Sequence, residues 1–463
     1  MQSFTIRWLV ETLNAPIIAD NAVALHGVVT GISIDTRTLQ PGDLFFALQG
    51  EQSDGHEYVK AAFEKGAIAA VVSRTVPDAG GRQVRVSDTL RAFGDLAGAY
   101  RRLFDIPVVG VTGSVGKTST KEMIAAVLRT RYETLANEKN FNNEIGVPLT
   151  LFQLEARHEV AVIEMGMRGL GEIDRLAEIA APTIGLITNI GYAHIERLGS
   201  RENILRAKTE LYQRLPKDGI AIVPADSDFY EELLKQVPAG VRKITFSVKN
   251  EILSDVRLLQ SIMNDHYIVT DRKDFKMEMV SIGSHSIANA LAALAVGTAL
   301  NVDASEAVSV LEAWKGAEGR MEFRVGKNGV VILDDCYNAG VESMDAALET
   351  LREFGDKRVA ILGDMKELGD FTVEAHERIG RRAGGMDLRL LITVGELAKG
   401  IADAAKETTA IETRHFSNSD EAAAHIWNLV QRGDTVLVKG SRAMQMEKIV
   451  ATLMGEENGG AHA

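Results

Sequence analysis

The run Gly110-Val111-Thr112-Gly113-Ser114-Val115-Gly116-Lys117-Thr118-Ser119 combines residue types and spacing that could do chemistry on phosphates. Glycines let the backbone wrap tightly, so several N–H groups face one anion. A helix starting at the end of such a turn adds its dipole. Lys117 supplies a cation for the terminal phosphates, and the Thr118 hydroxyl is placed to ligate Mg²⁺. Residues Thr112, Gly113, Ser114, Val115, Gly116, Lys117, Thr118 and Ser119 therefore read as an ATP-binding loop. The common pattern puts its first glycine five residues before Gly116, where Val111 stands; the glycines here are Gly110 and Gly113. The competing reading is an ordinary glycine-rich strand-to-helix turn. The Gly-Lys-Thr-Ser sequence at a helix start favours the phosphate loop.

Further polar residues close apolar runs. Glu164 ends Ala161-Val162-Ile163 and could take Mg²⁺ beside Thr118; read alone, a strand-end glutamate is more often a surface or capping group. His194 follows the Ile184–Ile190 run and could ligate a second metal or contact phosphate, or be structural. Lys208 lies in a helical segment near Glu210, where a lysine is ordinarily a solvated charge. Asp334-Asp335-Cys336-Tyr337-Asn338 offers either nucleotide or substrate contacts or a helix cap. Gly363-Asp364-Met365-Lys366-Glu367-Leu368-Gly369 and Lys439-Gly440-Ser441-Arg442 close two more runs in the same way. Three such strand ends predict one crevice facing anionic or zwitterionic groups.

The elements that must hold these residues fall into three stretches of an α/β chain. Residues 1–88 read as a small mixed α/β domain, with short apolar runs at Gly31–Ile34, Leu44–Leu48 and Ala67–Val72 and a helical pattern at Tyr58–Glu64. Residues 89–317 read as a central phosphate-loop ATPase domain with a parallel sheet. Its strands are Pro107–Val111, Val160–Ile163, Ile184–Ile190 and Ile220–Val223, and its helices include Leu90–Leu103 and Lys117–Thr130. Residues 318–463 repeat the alternation in a smaller, Rossmann-like domain, with strands Val330–Leu333, Arg358–Leu362, Leu388–Val394 and Thr435–Val438. Glu456 to Ala463 reads as a frayed tail.

Composition bounds the function. The chain has 463 residues and a formal net charge of −13, which argues against a general nucleic-acid binder. Hydrophobic residues make up 46% and charged residues 25%, ordinary for a globular protein and against wholesale disorder. One cysteine, Cys336, excludes an internal disulfide and a four-thiolate metal site. The N-terminus lacks a signal pattern. Ile287–Val302, the most apolar stretch, is too short to span a bilayer. A cytoplasmic protein without membrane insertion is expected.

Taken together these residues resemble the Mur ligases, ATP-dependent amide-forming enzymes of peptidoglycan precursor synthesis. That family's loop has the form Thr-Gly-(Ser/Thr)-x-Gly-Lys-Thr, which Thr112 to Thr118 match, accounting for the displaced glycine. The order that follows also fits: Asn140-Phe141-Asn142-Asn143-Glu144-Ile145-Gly146-Val147-Pro148, Glu164-Met165-Gly166, Asn189 with His194, Lys208-Thr209-Glu210, His285 to Asn289, and Gly319-Arg320-Met321-Glu322. The resemblance covers essentially the whole chain.

The resemblance implies roles. Lys117 would hold the ATP phosphates. Thr118 and Glu164 would hold one Mg²⁺, and His194 and Lys208 would serve a second, with Lys208 carbamylated. Asn289 would contact adenine, Arg320 the phosphates and Asp335 the ribose. Ser33, Asp35, Thr36, Arg37, Gly50 and His56 would grip a UDP-sugar. Asn142 and Asn143 would also contact substrate, and Asn338, Lys439 and Arg442 would lie near an incoming dipeptide. Lys117, His194, Lys208 and Arg320 would be catalytic. The implied substrates are UDP-MurNAc-tripeptide and D-Ala-D-Ala, joined through an acyl phosphate by a monomer whose domains close on binding. The family's usual Asn-Pro after Tyr-Asn-Ala is replaced here by Gly340-Val341, which predicts a looser turn beside the dipeptide site. The rivals are another ligase on the same framework, such as an earlier Mur ligase or a folylpolyglutamate synthetase, and a nucleotide-binding switch that makes no acyl phosphate.

Overall fold

A computed structural model describes residues 1–18, 25–50, 53–138, 141–262, 265–270, 273–278, 284–314, 316–317 and 319–456. Asn140 of the motif above, and the expected tail beyond Glu456, lie outside the described residues.

Strand–helix alternation gives three main sheets. The first has five strands, in the spatial order Ile17–Ile18, Gln83–Arg85, Ala69–Val72, Asp43–Phe46 and Gly31–Ser33, with only the outermost pair of Ile17–Ile18 antiparallel. The central sheet has nine strands. Thr134–Ala136, Val160–Glu164, Val108–Thr112, Ile184–Ile187, Ile220–Pro224, Arg242–Ser247 and Val256–Ile262 run parallel, and two antiparallel strands, Asp265–Thr270 and Lys273–Glu278, extend that edge. The third sheet has six strands: Glu322–Val325 is antiparallel at one edge, and Val331–Asp335, Thr435–Lys439, Arg358–Gly363, Leu390–Val394 and Thr413–Phe416 follow in parallel. The antiparallel edge strands escaped the sequence reading: Ile17–Ile18 is only two residues long, Glu322–Val325 alternates charged and apolar residues, and Lys273–Glu278 is mostly charged.

The buried central strands are apolar on both faces: every residue of Val108–Thr112 and Val160–Glu164 is buried. That is what helices on both sides require. Ser284–Ala299 covers one face, its alanines and leucines packing with Val109, Val111 and Ile124 of the sheet and the loop helix. Among the described residues no helix is long and apolar enough to cross a membrane.

The helix Thr89–Arg101 ties the first sheet to the central one. Asp88 caps it by accepting from Arg91 N. Phe93 packs edge-on to Phe46 of the first sheet, with ring centroids 4.9 Å apart, and lies 5.6 Å from Phe152 of the central unit. Arg101, nearly buried, spends its guanidinium on the carbonyls of Ala180, Phe104 and Ile106. Burial of apolar surface on two sides makes this helix a shared brace rather than a linker.

Candidate active site

The parallel register brings the chemistry to one edge. Glu164 pairs with Val111, and Ile187 with Thr112, so the turns after three adjacent strands leave the sheet side by side. That is the carboxyl edge where open α/β sheets take ligands. The turn 113–116 joins its strand to the helix Lys117–Arg129. Gly113 and Gly116 have φ of +152° and +82°, and a Cβ on them would meet Thr188 Oγ1 at 1.8 Å and Asn289 Oδ1 at 2.6 Å. No side chain caps the helix start, so its N–H groups remain free for an anion.

The turn is braced from the neighbouring strand end. Asn189 Oδ1 accepts from Val115 N and Asn189 Nδ2 donates to Val115 O, both at 3.0 Å. Thr188 Oγ1 donates to the same carbonyl at 2.6 Å, and Gly191 N donates to Ser114 Oγ at 2.8 Å. Lys117 Nζ folds back to donate to Gly113 O at 2.7 Å, and its enclosure lowers its pKa. Thr120 Oγ1 donates to Asn289 Oδ1 at 2.9 Å, which fixes that carboxamide beside Gly116.

A cleft of about 880 Å³ lies between this edge and the corresponding edge of the third sheet. Ser114 to Ser119, Asn142, Asn143, Glu164, His194, Lys208 and Asn289 line one side; Arg320, Asp335, Asn338, Lys439 and Arg442 line the other. Thr112 and Gly113 do not line the cleft. Glu164 is buried, with Oε1 accepting from Asn142 Nδ2 at 2.7 Å and Oε2 without a hydrogen-bond partner. An orphaned buried carboxylate oxygen in the same cleft as the Thr118 hydroxyl fits a divalent cation. Among the described residues no group of three His, Cys, Asp or Glu side chains could hold one. Such a sparse protein set suits Mg²⁺, which keeps water and takes substrate phosphates as ligands.

His194 stands at φ +66° just before the short helix Ile195–Leu198. Burial, and then Lys117 and Lys208 nearby, push its pKa down to about 4, so the ring is neutral at pH 7. Lys208, on the helix Arg201–Gln213, is 1% exposed, and burial holds its pKa well below the usual lysine value. This is not the solvated helix lysine that spacing alone suggested.

Across the cleft, Arg320 stacks on Tyr337 with its guanidinium carbon 4.1 Å from the ring centroid. Asp335 and Lys439 are register partners on adjacent strands, joined at 2.6 Å. Asp335 Oδ1 also accepts from Met321 N, and Lys439 Nζ reaches Asn338 O. Arg442 pairs with Glu447 at 3.1 Å. Gly340 has φ −147°, extended backbone open to any residue; Ser343 Oγ accepts from its N–H at 3.0 Å, and Val341 is buried. The turn expected to be loose is therefore anchored. Asp364 braces the neighbouring turn, accepting from Ala398 N and Lys366 Nζ, while Lys366 and Glu367 reach the cleft.

The residues expected to grip a UDP-sugar do not line this cleft. Arg37 is an exposed fork on Asp35, and its hydrogen bonds hold that carboxyl at about 2. Ser33 Oγ donates to Asp35 O, Thr36 O accepts from Lys65 Nζ, and Gly50 N donates to Ser53 O. His56 is buried, with Nδ1 on Asp54 at 2.6 Å and Nε2 accepting from Ser73 N at 3.0 Å, so it shapes the turn from within. Asn143 Oδ1 accepts from Ile145 N and Gly146 N in the turn that enters the helix Gly146–Leu151. Asn137, Thr120, Lys121, Thr188 and Glu342 escaped the sequence reading. Each acts through a contact distant in sequence that no local pattern announces.

A chain with this phosphate loop, central sheet and Rossmann-like third unit belongs to the Mur ligase family. The family's catalytic-domain description matches residues 28–101, its middle domain 111–297 and its glutamate ligase domain 319–442. Within it, the chain is 40% identical to the UDP-N-acetylmuramoyl-tripeptide–D-alanyl-D-alanine ligase of Synechocystis sp., over 92% of each chain. Its fold matches a crystal structure of MurF from Acinetobacter baumannii with TM-score 0.89 and 32% identity, covering 98% of this chain and 99% of that one. The MurF ligase of Thermotoga maritima, solved in complex with ADP, matches with TM-score 0.82 and 28% identity over 94% of this chain and 99% of that one.

Proposed function

We propose that this protein is an ATP-dependent ligase joining D-Ala-D-Ala to UDP-MurNAc-tripeptide, giving UDP-MurNAc-pentapeptide, ADP and phosphate in peptidoglycan precursor synthesis. The observation that carries it is the meeting of Lys117, Thr118 and the unpartnered Glu164 oxygen with Arg320 and Lys439 in one cleft. The tripeptide's terminal carboxylate attacks the γ-phosphorus of ATP, and ADP leaves. The dipeptide's free amine then attacks the acyl phosphate carbon, loses its proton, and the tetrahedral intermediate collapses to an amide and phosphate. A carboxylate is a poor electrophile, so phosphorylation must precede amide formation, and water must be kept from the intermediate.

Lys117 and the loop N–H groups hold the phosphates, and Arg320 approaches from the third unit to spread the developing charge. Tyr337 holds that planar guanidinium over its ring. Thr118 and Glu164 would hold one Mg²⁺, with neutral His194 and carbamylated Lys208 serving a second. Bound there, Mg²⁺ neutralises phosphate charge and polarises the transferred group. Burial lowers the pKa of the Lys208 amine, which favours the neutral form that reacts with CO₂. Asn289 contacts adenine and Asp335 the ribose. Asn338, Lys439 and Arg442 receive the dipeptide, with Asn142 and Asn143 on the acceptor side. Ser33, Asp35, Thr36, Arg37, Gly50 and His56 form or shape the UDP-sugar grip. The three units divide at 88/89 and 317/318. The enzyme works as a cytoplasmic monomer and supports cell shape and division through wall synthesis.

The test is ADP release with UDP-MurNAc-tripeptide plus D-Ala-D-Ala against single amino acids, for wild type and Lys117→Ala. Only the dipeptide should sustain wild-type release, and the variant should lose at least about a hundredfold with its fold intact. Substrate-independent ADP release would remove the ligase reading.

A further inference from the structure

Asn137 follows the Thr134–Ala136 strand and is 1% exposed. Its carboxamide oxygen accepts from Glu164 N at 2.9 Å, and its Nδ2 donates to Glu164 O at 3.2 Å and to Phe141 O at 2.8 Å. The parallel ladder beside it stops at Val162–Ala136. Beyond that point one side chain makes the two-way pairing that a further strand residue would have made. Glu164 thus has its peptide N–H and C=O held by Asn137 and one carboxylate oxygen held by Asn142, leaving Oε2 buried at the cleft lining without a partner. The bond to Phe141 O fixes the segment that delivers Asn142.

Asn137 is itself anchored to the phosphate-loop helix. Its carbonyl accepts from Lys121 Nζ, a fully buried ammonium that also pairs with Glu122. Lys121 stands one helical turn beyond Lys117, on the helix that carries Thr118. A continuous path therefore runs from the Thr118 helix through Lys121 and Asn137 to Glu164. We propose that Asn137, backed by Lys121, is a positioning residue that sets the unpartnered Glu164 oxygen relative to the Thr118 hydroxyl and thereby tunes affinity for a divalent cation with nucleotide. This rests on the proposed Mg²⁺ role of those two residues. An asparagine that merely stabilised a turn would not spend all three bonds on Glu164 and the segment reaching Asn142.

The experiment uses full-length protein, ADP and Mn²⁺ as a paramagnetic probe, with free Mn²⁺ read by electron paramagnetic resonance. Asn137→Ala should weaken Mn²⁺ binding about tenfold, within the range for removal of a ligand's supporting bond. The Mg²⁺ concentration giving half-maximal ADP release should rise in parallel, while the KM for D-Ala-D-Ala stays near wild type. Leu135→Ala, a core truncation in the same strand, is the control: it should lower the unfolding midpoint and leave Mn²⁺ binding unchanged. Wild-type Mn²⁺ affinity in Asn137→Ala, or an equal loss in Leu135→Ala, overturns the proposal. Wild-type protein that binds ADP but no Mn²⁺ overturns the metal assignment beneath it, and a wild type that binds neither overturns the nucleotide reading itself.

Discussion

Lys208 shows how far burial changes the meaning of one residue. As an ammonium it would carry a heavy desolvation cost in a site it shares with Lys117, and both effects drive it toward the neutral amine. A neutral amine is the form that takes up CO₂. Lys208→Ala should therefore lose most turnover, and added formate or acetate should restore part of it by placing a carboxylate in the vacated space. Rescue that tracks carboxylate concentration in the ADP-release assay checks this; rescue by chloride at equal ionic strength would exclude it. Glu164 tells the same story in reverse. Its strand-end position left a surface role open, and only burial with one unpartnered oxygen marks it as a candidate ligand.

At the scale of elements, the phosphate loop depends on backbone that a side chain cannot follow. Gly116→Ala would place a methyl group 2.6 Å from Asn289 Oδ1 at φ +82°. The left-handed conformation alone costs roughly 1–2 kcal/mol. ADP affinity measured by calorimetry should fall at least about tenfold, with a smaller fall in thermal stability. The turn after the Arg358–Gly363 strand depends instead on a histidine. His376 Nε2 accepts from Met365 N at 3.0 Å while Nδ1 donates to Thr372 O at 2.6 Å, an arrangement open only to the neutral ring. Burial accordingly lowers its pKa below 6.5. The unfolded chain thus takes up a proton first as pH falls. This contribution to stability is complete above about pH 6.5 and is lost as pH drops through the lower folded value. Urea midpoints at pH 7.5 and pH 5 should differ less in His376→Gln than in wild type.

At the scale of the molecule, few hydrogen bonds and ion pairs among the described residues join the third unit to the phosphate-loop edge. Glu342 Oε1 accepts from Tyr192 N at 2.6 Å, and Glu367 lies 3.5 Å from His194 Nδ1. Both touch the turn that braces Ser114 and carries His194. Contacts this sparse suit a unit that swings to admit substrate and closes to exclude water. Nucleotide with both substrates should change the small-angle scattering profile of the wild type. Glu342→Ala should expand the nucleotide-free protein, and ligands should return it toward the closed dimensions. An identical profile with and without ligands would count against closure.

The sequence by itself determined the α/β alternation, the phosphate loop and the order of the motifs, because these are written in local periodicity and in glycine, lysine and threonine at short spacing. It left Glu164, His194 and Lys208 ambiguous, since a carboxylate, an imidazole or an amine takes its chemistry from burial and neighbours. Asn137 and Glu342 gave no local signal at all. Their partners lie 27 and 150 residues away in the chain, and strand register and the approach of a separate sheet bring them together. Tertiary structure decided those roles because distance in space, desolvation and unsatisfied hydrogen-bonding capacity exist only once the strands have paired and the units have met.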